Sequence, residues 1–162
     1  MRSNILIGVL VLVVVGIIGF MIRQNSSSNI AEEVVNSTNG IVATVYKSPS
    51  CSCCEQYSAY LRKKGYGVEV EAVSDLQSIK EQFSIPYELE SCHTMEIDGY
   101  VVEGHVPEEA VQKLLAERPD IKGIGMAGMP SGSPGMPGPK TEDFVIYEIT
   151  HEGIKGEVFM II

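Results

Sequence analysis

Positive charge is what this chain of 162 residues has least of: 12 Lys and Arg stand against 21 Asp and Glu, a formal net charge of −9. From Gln24 onward the imbalance sharpens to all 21 acidic residues against 10 basic ones, a net −11. A body that negative repels phosphate backbones, which excludes nucleic acid as a partner. It repels an anionic lipid surface in the same way and attracts cations. Tryptophan is absent altogether, which excludes nothing. The length suits one domain with an appendage.

Charge is missing entirely from Ile5 to Ile22, 18 residues in a row. As a helix they would span about 27 Å, close to the roughly 30 Å hydrocarbon core of a bilayer. A cleaved signal peptide needs an apolar region of only about 7–15 residues, followed by a small-x-small site. Here the stretch ends Phe20-Met21-Ile22-Arg23, with no such site and no cysteine to lipidate. Residues 1–23 are therefore expected to form an uncleaved transmembrane anchor. A cleaved signal segment is the alternative, and a buried core helix ranks last. Arg2 and Arg23 flank both ends, so charge specifies orientation weakly. The common arrangement, N-terminus inside, puts the body in the periplasm or extracellular space, where disulfides persist. Residues 24–40, QNSSSNIAEEVVNSTNG, have the composition of a flexible linker. Its two N-x-S/T triplets, at Asn25 and Asn36, are what chance supplies in such a segment.

Residues 41–162 carry the folded pattern. Ile41–Tyr46 is a β-branched run and predicts a buried strand. Tyr57, Tyr60 and Leu61 fall at helical spacing between Cys53 and Lys64, and Gly65 supplies the stop. Val68–Val73 alternates as a second strand, and Ser74 can cap a short helix through Phe83. Met95–Ile97 and Tyr100–Val102 flank Asp98-Gly99, a hairpin signal. Pro107 precedes a helix over Glu108–Glu117, with Ala110, Val111, Leu114 and Leu115 on one face. Residues 123–140, GIGMAGMPSGSPGMPGPK, are Gly, Pro and Met and predict no regular structure. Phe144–Ile149 and Ile154–Phe159 then form a closing hairpin. The order β-α-β-α-β-β-α, with a reactive loop after the first strand, predicts an α/β fold of thioredoxin-like type, a central mixed sheet flanked by helices.

Four cysteines carry the chemistry: Cys51, Cys53 and Cys54 in a C-x-C-C motif, and Cys92. The motif falls at a helix N-terminus, where free amides and the macrodipole favour thiolate over thiol. Thiolates this close repel one another unless they are oxidised or bound to a cation. A Cys51–Cys54 disulfide is the plain reading. A zinc site is a second, although structural zinc usually draws on two separated cysteine pairs. A soft univalent ion is the third, because Cu(I) prefers sulfur and thiolates can bridge it. Four thiolates with an equal number of Cu(I) ions make a neutral, compact cluster, the composition favoured here.

The sequence resembles the CopG-type copper-resistance family, an extracytoplasmic thioredoxin-like group. The resemblance rests on Tyr46-Lys47-Ser48-Pro49 leading into Cys51-Ser52-Cys53-Cys54, then Ser91-Cys92-His93-Thr94, then Gly99-Tyr100-Val101-Val102-Glu103-Gly104-His105-Val106-Pro107. Leu114–Pro119, Gly128-Met129-Pro130 and Gly132–Met136 complete it. Ser52 and Tyr57 depart from the family's usual Gly and Trp, and neither is a proposed ligand. The resemblance implies a multinuclear copper–thiolate centre held by Cys51, Cys53, Cys54 and Cys92. In thiol–disulfide oxidoreductases of this fold a cis-proline followed by Thr faces the C-x-x-C. If Thr94 is that threonine, His93 takes the proline slot and Cys92 closes a sulfur cage. An internal thiol there would compete with substrate, which favours binding over redox turnover.

Histidines and methionines supply weaker candidates. His93 is placed to ligate copper or to hydrogen-bond a cluster sulfur. His105 has a structural and a ligand reading, and His151, in a polar turn, has no assigned role. Met126, Met129 and Met136 fall in the Gly/Pro loop, where core packing explains them poorly; thioethers bind Cu(I) without deprotonation. Met95 reads as strand core. The expected protein is thus a membrane-anchored copper-binding protein that stores, hands on or changes the redox state of copper, with copper ions and other copper-handling proteins as partners. A thiol–disulfide oxidoreductase using Cys51 and Cys54 is the alternative, and a zinc-stabilised interaction module ranks third.

Overall fold

The computed structural model describes residues 40–162. The expected anchor, and all of the expected linker except residue 40, lie outside the described residues. Among the described residues no helix is long and apolar enough to cross a membrane.

Alternation builds the first strand: in β1 (Val42–Lys47) Ala43, Val45 and Lys47 are buried while their neighbours are not. Helix α1 (Ser52–Lys63) starts at Cys51 and buries Cys54, Tyr57, Ser58 and Leu61, an i, i+3, i+4, i+7 stripe. Gly65, at φ +97°, ends it where an L-residue would be strained. Strand β2 (Gly67–Ala72) then runs parallel to β1. Helix α2 (Leu76–Gln82) is capped by Asp75, whose carboxylate accepts from the Ser78 amide at 3.1 Å. The expected cap, Ser74, lies one residue too early for that contact.

A 3-10 turn over Tyr87–Leu89 leads into β3 (His93–Ile97) and β4 (Tyr100–Glu103). Between them Asp98 and Gly99 both take positive φ, 49° and 83°, the mark of a two-residue type I′ hairpin. Helix α3 (Glu108–Glu117) follows Pro107. Strands β5 (Gly123–Gly125), β6 (Val145–Ile149) and β7 (Lys155–Ile161) complete a seven-stranded mixed sheet of order β2-β1-β3-β4-β5-β6-β7. Pairs β1–β2 and β4–β5 are parallel and the other four antiparallel.

Strand β5 corrects the sequence reading of 123–140 as wholly irregular. Glycine carries no side-chain pattern, yet it is what this strand needs. A Cβ on Gly123 would stand 1.9 Å from the Val101 carbonyl oxygen, so only glycine lets the two backbones pair here. Met126 corrects the same passage. It is 2% exposed and belongs to the main core cluster with Val102, Val106, Val111 and Ile124.

Candidate metal centre

Cys51 stands at the N-terminal cap of α1, with Cys53 and Cys54 in its first turn. Lys47, buried at the end of β1, fixes the entry: its ammonium pairs with Glu55 at 2.9 Å and donates to the Ser48 carbonyl at 3.2 Å. Cys92 arrives from the other side, just ahead of β3. Because β3 pairs antiparallel with β1, with His93 opposite Lys47, the Cys92 loop faces the start of α1.

The four sulfurs converge, all lying within 4.8 Å of one another. Cys51 and Cys54 are joined as a disulfide, while Cys53 and Cys92 are free thiols. The Cys53 sulfur is 3.4 Å from that of Cys51 and 3.7 Å from that of Cys92, and the Cys54 and Cys92 sulfurs are 3.5 Å apart. Two sulfurs sharing one tetrahedral ion at about 2.3 Å would be roughly 3.8 Å apart. Each neighbouring pair could therefore share a metal with little movement.

Two histidines stand against Cys92. Its sulfur is 3.0 Å from His105 Nε2 and 3.5 Å from His93 Nδ1. His105 Nδ1 donates to the Pro134 carbonyl at 2.7 Å, which leaves Nε2 with its lone pair toward the sulfur. The His93 ring is wholly buried, and its Nε2 has no hydrogen-bond partner among the described residues. Tyr57 packs on both rings, with centroids 4.6 Å from His93 and 5.6 Å from His105, and its hydroxyl donates to the Val106 carbonyl at 2.9 Å.

Electrostatics favour uncharged ligands in the absence of a cation. Burial, then the hydrogen bond to Cys53, pushes the Cys92 thiol up to about 12. Burial likewise holds His105 below the ordinary histidine range and His93 well below it, with His105 and Lys80 adding to the effect at His93. A coordinated metal reverses this, since it deprotonates a thiol outright, and a neutral imidazole is already the ligand form.

The Gly/Pro loop packs on the first turns of α1 beside Cys53. Gly135, at φ +84°, lies so close to α1 that a Cβ would meet the Cys53 carbonyl oxygen and the Tyr57 amide at 2.8 Å. Ser52, Cys53, Gln56, Gly135, Met136 and Pro137 line an open depression of about 440 Å³. Met136 thus shares that depression with Cys53. Met129 is 52% exposed, and Met126 sits in the core rather than on an exposed lip. His151 is exposed and pairs with Asp120 at 3.1 Å.

Sequence reasoning missed the polar groups behind the site. Lys80, Thr94 and Glu103 are buried together. The available signal was Glu103 itself, a carboxylate closing the run Tyr100-Val101-Val102.

Residues 89–136 match a family model described as a protein of unknown function, DUF411. No curated protein matches the chain. Two solved structures, copper resistance protein copG in form 2 and form 1, are each 34% identical over 75% of this chain, covering 98% and 96% of theirs with TM-scores of 0.70 and 0.68. The chain belongs to the CopG family. Of the candidate ligands, Cys92, His93, His105 and the three loop methionines lie inside the matched span, and Cys51, Cys53 and Cys54 lie before it.

Proposed function

We propose that this CopG-family protein binds copper outside the cytoplasm, gathering Cu(I) in a multinuclear cysteine–thiolate cluster for copper resistance or homeostasis. The observation that carries the reading is the convergence of four sulfurs within 4.8 Å, one of them from the distant loop that leads into β3. Sulfur is the ligand that selects Cu(I), and separations of 3.4–3.7 Å suit thiolates that bridge neighbouring ions. The disulfide between Cys51 and Cys54 is the oxidised form of the site; reduction frees both as ligands. His105 and His93 serve as imidazole ligands or hold the Cys92 sulfur, and Met136 and Met129 serve as a thioether entry. The copper-resistance function described for the two solved relatives supports the choice of metal.

The frame is thioredoxin-like on this reading. The order β2-β1-β3-β4, with β1 parallel to β2 and the cysteine motif at the start of the helix that follows β1, supports it. The N-terminal segment anchors the body on the outer face of a membrane.

One observation favours a second reading, a thiol–disulfide oxidoreductase: the disulfide joins the two ends of a C-x-x-C at a helix N-terminus. Cys92→Ser separates the two. The copper reading expects this variant to lose most of its bound Cu(I) in a titration against a competing chelator. Reduction of a generic disulfide substrate that survives Cys92→Ser but vanishes in Cys51→Ser would overturn it in favour of the oxidoreductase.

A further inference from the structure

Directly behind Cys92 lies a buried ion pair outside the sulfur cage. Glu103, the last residue of β4, is wholly buried and Lys80 of α2 is 4% exposed. The Glu103 carboxylate pairs with the Lys80 ammonium. It also accepts from the Ser91 backbone amide at 2.6 Å and from the Thr94 hydroxyl at 2.6 Å. Lys80 donates to the same hydroxyl at 3.2 Å. The two residues that Glu103 grips, Ser91 and Thr94, bracket Cys92 and His93 in sequence.

A pair this deep is a poor way to stabilise a core. Desolvation consumes most of the Coulombic gain, and apolar side chains of the same volume are often as stable or more so. What apolar side chains could not supply is an acceptor for the Ser91 amide. That amide lies outside the β3–β4 ladder, whose register begins at Thr94 opposite Glu103. Ser91 is half-buried, and an amide there left without a partner costs up to about 1–3 kcal/mol, so the loop would shift to find one. Packing confines the same loop from the other side. The Ser91 hydroxyl donates to the Gly128 carbonyl, and the Gly128 amide donates to the Glu90 carbonyl at 3.3 Å. Gly104, at φ +82°, leaves the gap: a Cβ there would stand 2.6 Å from the Met126 carbonyl oxygen and 2.9 Å from the Ser91 Cβ.

We propose that Glu103 is a positioning residue, which fixes the Glu90–Ser91 peptide, one residue ahead of Cys92, so that the Cys92 sulfur is held against the three sulfurs of α1. What Cys92 is held for rests on the copper reading; that it is held by Glu103 does not. The test therefore reads sulfur proximity without metal. In a Cys51→Ser, Cys54→Ser background only Cys53 and Cys92 remain, 3.7 Å apart, and the rate at which oxidised glutathione closes their disulfide reports how often they meet.

Two charge-free pairs are compared in that background. Lys80→Met with Glu103→Gln keeps an amide oxygen for the Ser91 amide. Lys80→Met with Glu103→Leu removes it at similar volume. Closure in the Gln pair is expected within about twofold of the parent, and in the Leu pair at least about tenfold slower, the scale of one lost hydrogen bond. Equal rates in two cooperatively folded variants would overturn the proposal, because a merely structural role for the ion pair predicts no difference between them. Hydrogen exchange in the unaltered chain serves if the Leu pair fails to fold. The Ser91 amide is expected to be as protected as those of β3, and exchange at an open-loop rate would overturn the proposal. Slower closure in the Leu pair, in a protein that binds no copper, would uphold the role of Glu103 and end the copper reading alone.

Discussion

At Cys92 the fold brings a sulfur from 38 positions away to 3.5 Å from that of Cys54. The residues around it divide into those that pack and those that hold the site. Tyr57 does both: its ring lies on His93 and His105 while its hydroxyl serves the Val106 carbonyl. Tyr57→Phe keeps the ring and leaves that buried carbonyl unpaired, so a loss of about 1–3 kcal/mol is expected in urea unfolding. The methionines separate by burial. Met126→Ala should cost about 2–5 kcal/mol, as for other buried side chains cut to alanine. Met129→Ala, at 52% exposure, should stay within about 0.5 kcal/mol of the parent in the same assay. That the four cysteines meet was legible in the sequence, because thiols at the C-x-C-C spacing have few other uses, while His93 and His105 had both a structural and a site reading. Lys80, Thr94 and Glu103 were not legible, since each looks like an ordinary polar residue until the sheet brings them together.

Among the elements, β1, α1, β3, β4 and α3 follow patterns that the sequence states openly: alternation, a helical stripe, an Asp-Gly hairpin, a proline before a helix. Strand β5 does not, because its pairing depends on the absence of side chains rather than on their pattern. That origin makes it fragile. A methyl group at Gly123 would collide with the Val101 backbone, and Gly123→Ala is expected to lose about 4 kcal/mol or more, or to fail to fold, as judged by thermal melting. The loop over Pro134–Met136 should respond differently. Gly135→Ala forces that loop off the first turns of α1 without entering the main core. Alkylation of Cys53 by iodoacetamide, mapped by mass spectrometry, is expected to speed up in this variant. An unchanged rate would mean that the loop does not shield the sulfur.

For the molecule as a whole, acidic charge, a sulfur-lined site and membership of the CopG family point the same way. A body with a net −11 from Gln24 onward gathers cations, and on the copper reading the softness of the sulfurs sorts them. Any ion that binds only the folded form raises the melting temperature. Cu(I) is expected to raise it more than Zn(II) at equal concentration, and the reverse order would support the zinc-stabilised module instead. The most direct measurement is the copper-to-protein ratio of residues 40–162 with all four thiols reduced, loaded anaerobically with excess Cu(I) and freed of loosely held metal. Several Cu(I) per chain, falling to about one or none in Cys92→Ser, is the expected result; a ratio of one or less that Cys92→Ser leaves unchanged would contradict a shared four-sulfur cluster.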